Sequence, residues 1–115
     1  MGYEVVRSVE SRRDLVAIFR HLVDSYTALG DPLAEALQRA ARRIASMETE
    51  MIALGRIPHL GTQLPGIGHG LRHVTKNRAI FYFDVDDNAK TVRILAVFFG
   101  GQDHQRLMLR RLGSG

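Results

Sequence analysis

The chain has 115 residues, 45% hydrophobic and 24% charged, with 16 Lys+Arg against 12 Asp+Glu for a formal charge of +4. That length accommodates one domain, and that composition builds a core and excludes a disordered or collagen-like chain. Cysteine is absent, which excludes disulfides, thiolate zinc centres and a cysteine nucleophile, while the excess of arginine over Lys76 and Lys90 favours an acidic partner, because guanidinium forks suit carboxylate and phosphate.

No signal segment or bilayer-spanning run is visible, so a cytoplasmic location is expected. Residues 3–8 are β-branched and predict a strand. Ser11-Arg12-Arg13-Asp14 has capping-box spacing and opens a helix whose apolar positions are Leu15, Phe19, Leu22, Tyr26 and Leu29. Gly30-Asp31 stops it, and Pro32 starts a second helix carrying Leu33, Leu37, Ala40, Ile44, Met47, Met51 and Leu54, with Gly55 as its stop. Matching apolar seams and a short joint predict an antiparallel helical hairpin within the chain in preference to a dimeric coiled coil.

Residues 56–70 break every periodicity and predict an irregular loop. Three strands follow, at 71–76, 79–85 and 91–99, separated by turns at Asn77-Arg78 and Asp86-Asp87-Asn88, which predicts an antiparallel meander. In the last of them Val92, Ile94, Ala96 and Phe98 form one apolar face, yet Leu95, Val97 and Phe99 oppose it, so both faces of that strand need cover. The helical hairpin covers one sheet face; a partner protein or the folded-back tail covers the other. A basic helix is expected within 103–112. The fold class is therefore α+β, in the order β-α-α-β-β-β, with a helical hairpin on one face of a small, mainly antiparallel sheet and a short C-terminal helix or tail. One domain is expected over 1–112, with 113–115 a flexible tail.

The chemistry-bearing motifs are sparse. Gly66-Ile67-Gly68-His69-Gly70 is similar to a phosphate loop but leads into a strand, so it reads as plain loop. His69 and His73 have metal-chelating spacing only on a helix, so these, His59 and His104 read as surface histidines; no metal or other cofactor is expected. Asp84, Asp86 and Asp87 read as turn residues. The cations are more informative: Arg72 and Lys76 share a strand face, Arg78 lies in the next turn, and His104, Arg106, Arg110 and Arg111 crowd the tail. Such groups suit metal-free phosphate chemistry, with arginine stabilising charge and histidine as acid or base; the competing reading is a solvated basic surface.

In that order the sequence resembles the RelE/ParE family of toxins of bacterial type II toxin–antitoxin systems, and most of all its ParE (plasmid stabilisation) branch. The resemblance rests on Tyr3-Glu4-Val5-Val6-Arg7-Ser8 followed by a helix near Asp14-Leu15, on Leu54-Gly55-Arg56-Ile57-Pro58-His59-Leu60-Gly61, and on Gly70-Leu71-Arg72. It continues through Ile80-Phe81-Tyr82, Arg93-Ile94-Leu95-Ala96-Val97 and Gly101-Gln102-Asp103, although Gln102 stands where arginine is common. The ParE branch implies a growth inhibitor that binds and blocks DNA gyrase without catalytic residues, through Arg72, Lys76, Arg78, Gln102, His104 and Arg106. The RelE branch implies instead a ribosome-dependent mRNA endonuclease, with Arg72 and Arg78 as charge stabilisers and His104 as acid. Either branch implies a cognate acidic antitoxin in a hetero-oligomeric complex, held by Leu15, Phe19, Leu37, Phe98 and Phe99.

Overall fold

The computed structural model describes residues 2–64, 70–100 and 103–113. The elements are β1 (Glu4–Arg7), α1 (Val9–Ala28), α2 (Leu33–Ala53), β2 (Thr62–Gln63), β3 (Arg72–Lys76), β4 (Ala79–Asp86), β5 (Thr91–Phe99) and α3 (His104–Gly113). They form one five-stranded sheet in the order β1-β5-β4-β3-β2, with β1 parallel to β5 and every other pairing antiparallel. The α+β class, the meander and the terminal helix are as the sequence predicts.

The differences are local. Helix α1 is capped by Ser8, whose hydroxyl accepts from the Ser11 N–H at 3.1 Å, so the helix opens three residues before the expected capping box. The short strand β2 lies inside the stretch expected to be loop, paired to β3 through Thr62 with His73. Asn77 and Arg78 form a two-residue hairpin turn with φ of 51° and 70°, the left-handed backbone such turns demand.

The hairpin of α1 and α2 packs on one sheet face. Leu15, Ile18, Leu22, Ala40, Met47 and Met51 meet Phe81, Phe83, Val92, Ile94 and Val97, each large side chain contributing about 1.5–3 kcal/mol on burial. The buried helical stripe drifts from the predicted one. Leu29 is 82% and Leu33 61% exposed, while Ile18 and Ala36 are buried, because a helix of 3.6 residues per turn departs from an exact four–three alternation over its length.

The opposite face is covered by the chain itself: α3 sets Met108 onto Leu71, Ile80, Tyr82, Ala96 and Phe98. The expected single face of Val92, Ile94, Ala96 and Phe98 is split between the two cores. Tyr82 pairs with Ala96 but Phe83 with Ile94, so Leu95 is an extra residue on β5. This bulge inverts the side-chain alternation, sending Val92 and Ile94 to the helical hairpin and Ala96 and Phe98 to α3.

Candidate functional site

On the α3 side of the sheet, alternation places His73 of β3 beside Tyr82 of β4, its partner in the ladder. His104, the first residue of α3, closes over both. The Tyr82 hydroxyl and His104 Nδ1 are 2.8 Å apart. The His73 ring lies 5.3 Å from that of Tyr82 and 5.5 Å from that of His104. Burial lowers the His73 imidazole below its ordinary value, and the neighbouring His104 lowers it further. Burial likewise raises the Tyr82 phenol, helped by the charge of Asp103. His73 Nδ1 is buried with no hydrogen-bond partner among the described residues. Chemically, this is a phenol hydrogen-bonded to one imidazole, with a second imidazole packed against both rings.

The residues expected to act on a target are not gathered there. Val74 packs into the helical-hairpin core, so alternation puts Arg72 and Lys76 on that face, opposite His104. Arg72 Nη1 donates to the His59 carbonyl at 2.9 Å. Arg78 holds its guanidinium over the Phe99 ring at 5.8 Å, with Arg43 over the same ring at 5.4 Å. Arg106 is exposed on α3, 3.8 Å from Asp103. Gln102, with the Gly66-Ile67-Gly68-His69 stretch, lies outside the described residues. Tyr82, which bonds His104 and packs against His73, enters the sequence reading only within Ile80-Phe81-Tyr82, and its alternation with Ile80 gives no signal of a polar role.

Two concave surfaces flank the helices. A cleft of about 690 Å³ between α1 and α3 is lined by Asp14, His21, Arg78, Phe99 and Arg111 among others. A shallower groove of about 350 Å³ on the outside of the hairpin has Leu15, Val16, Phe19 and Ile44 as its floor and Arg7, Arg12 and Glu48 at its rim. Of the residues expected to hold an antitoxin, Phe19 is half-buried in this groove and Leu37 is 40% exposed on α2. Phe99 is half-buried at the cleft, whereas Leu15 and Phe98 are buried within the chain, Leu15 reaching only the groove floor.

A second polar cluster, unread in the sequence, ties three loops together at the far end of the sheet. The Tyr3 hydroxyl donates to Asp87 Oδ1 at 2.7 Å, and His59 Nε2 lies 2.9 Å from the same oxygen. The Tyr3 bond is the leading cause that holds the Asp87 carboxyl below its ordinary range, and the same contact raises the Tyr3 phenol. Among the described residues no three histidine or carboxylate side chains converge on a point where a metal ion could sit. None of the helices is long and apolar enough to cross a membrane.

No protein-family model matches the chain, and no curated protein matches it. Solved structures do. A chain of the toxin–antitoxin complex RelBE2 from Mycobacterium tuberculosis superposes with a TM-score of 0.62 at 20% identity, over 89% of this chain and 95% of that one. A chain of the chromosomal ParDE toxin–antitoxin system from P. aeruginosa gives a TM-score of 0.62 at 19% identity, over 84% of this chain and 95% of that one. The fold is thus RelE/ParE-like, with the short C-terminal helix in place.

Proposed function

We propose that this protein is the toxin of a type II toxin–antitoxin pair, arresting growth by binding an essential target and neutralised by an acidic antitoxin. The observation that carries the reading is the outer groove of the α1–α2 hairpin. Its apolar floor of Leu15, Val16, Phe19 and Ile44 suits the apolar face of an amphipathic helix, and Arg12 at the rim suits an acidic flank, Arg7 being paired with Glu48 at 2.6 Å. The net charge of +4 favours the same partner. The likeness in fold to chains of two toxin–antitoxin complexes supports the reading.

For the target, the lead reading is DNA gyrase, bound without a nuclease step. A nuclease built on Arg72, Arg78 and His104 would need all three around one phosphate. Arg72 instead faces the helical hairpin, and His104 faces the other way. Arg78 then acts as an exposed binding cation, held at φ 70°, where glycine would sit more easily.

One observation favours a second reading, ribosome-dependent mRNA cleavage: the convergence of His73, Tyr82 and His104. A histidine there would take the proton of an RNA 2′-hydroxyl as its oxygen bonds the adjacent phosphorus. A second histidine would return a proton to the departing 5′-oxygen, leaving a cyclic phosphate. Expression without a partner, followed by growth, gyrase supercoiling and mRNA assays, separates the readings. Lost supercoiling with intact mRNA supports the lead, cleavage abolished in His104→Ala supports the second, and unimpaired growth overturns both.

A further inference from the structure

The joint between α3 and the sheet has a composition unlike the rest of the core. The first residue of the helix is held by a hydrogen bond between Tyr82 and His104, with a second imidazole, His73, against both rings. Tyr82 is fully buried and His73 Nδ1 is enclosed, so neither can turn to water while α3 is docked. We infer that this His73–Tyr82–His104 joint is a proton-operated latch that docks α3 on the sheet when both imidazoles are neutral and releases it when they are protonated.

The argument is geometric. With His104 Nδ1 unprotonated, the Tyr82 hydroxyl donates to it. A proton on Nδ1 turns the acceptor into a donor and leaves the phenolic hydrogen without a partner in a buried position, which is costly. The same proton places a positive charge on the first residue of a helix, where the macrodipole opposes it. A proton on His73 adds a second cation whose ring centre is 5.5 Å away. It also gives Nδ1 a hydrogen with no acceptor among the described residues.

From β2 the residue opposite His73 is Thr62, from β4 Ile80 and Asp84 flank Tyr82 on its own face, with Asp84 engaged by Arg93 at 2.7 Å, and from β5 the facing side chains among the described residues are Ala96 and Phe98. From α3 come Asp103, just ahead of the helix and 67% exposed, and Arg106, which lies 3.8 Å from it. Met108 and Leu107 complete the helix's contact with the sheet. The lowered His73 imidazole agrees in direction: the docked state favours its neutral form.

The far end of α3 sets the limit of the movement. Arg111 grips Asp14 through two hydrogen bonds of 2.8 and 2.9 Å that do not involve the histidines. Release therefore starts at His104 and swings the helix away from Leu71, Ile80 and Phe98. The latch shares its three side chains with the mRNA-cleavage reading but rests on neither reading of the target, because it is measured on this chain alone.

Methyl NMR of Met108 on the whole chain tests it, because that methyl lies buried against aromatic rings when α3 is docked. Between pH 8 and pH 5 the docked resonance should give way to a solvent-exposed one. In the double variant His73→Gln/His104→Gln the Met108 position should be independent of pH. A docked Met108 resonance that persists at pH 5 in the unmodified chain overturns the latch. So does an equal pH response in the double variant, once amide spectra show it folded.

Discussion

Asp14 sits where α1, β5 and α3 meet. Its carboxylate accepts from Arg111 at 2.8 and 2.9 Å and from the Val97 N–H at 2.9 Å. The two side chains are 14% and 32% exposed, so the pair is partly desolvated and its loss would strand the Val97 N–H and remove a bidentate acceptor from Arg111. Asp14→Ala should cost about 2 kcal/mol, read as a lower urea midpoint. Arg78 is the opposite case, a side chain kept at some cost in backbone strain. Arg78→Gly should stabilise the fold by about 0.5–1 kcal/mol while weakening growth inhibition when the protein is expressed alone. Asp87 marks the acid limit. Its folded carboxyl is held low, chiefly by Tyr3, so its contribution is present above about pH 4 and is lost as pH falls through the lowered value. In Tyr3→Phe, the drop in urea midpoint between about pH 5 and pH 2 should shrink.

At the scale of elements, the bulge at Leu95 decides which side chains serve which core. Without it, Ala96 and Phe98 would join Val92 and Ile94 on the helical-hairpin face and Val97 would turn towards α3, because strand alternation has a strict period of two. Deleting Leu95 should cost about 3–5 kcal/mol in urea denaturation, comparable to losing a large buried aromatic. Leu95→Ala, which keeps the extra backbone residue, should cost clearly less. The helices, the three long strands and the tight turn at Asn77-Arg78 were legible in the sequence because each has a strong local pattern. The bulge was not: Leu95, Ala96, Val97, Phe98 and Phe99 are all apolar, so hydropathy carries no phase there. The strand β2 was missed for a related reason, its two polar residues being drawn into the sheet only by pairing with β3.

For the whole molecule, the proposed function assigns partner recognition to the α1–α2 groove. Val16 is 52% exposed on the groove floor, so Val16→Glu should leave the fold intact. It should weaken capture of an acidic antitoxin helix by roughly tenfold or more through lost apolar contact and charge repulsion. Co-purification with the neighbouring gene's product checks it, and toxicity of the variant expressed alone should be unchanged. Affinity for that partner should also fall as salt is raised, since the groove's rim cations are solvent-facing.

The sequence by itself determined the α+β class, the hairpin, the meander and the arginine-rich surface, because these follow from periodicity, turn chemistry and charge. Only the tertiary structure decided that α3 covers the second sheet face, that Arg72 and His104 part to opposite faces, and that Tyr82 bonds His104 with His73 packed against both. The physical reason is that these arrangements depend on strand register and on contacts between residues far apart in the chain, which no local pattern encodes.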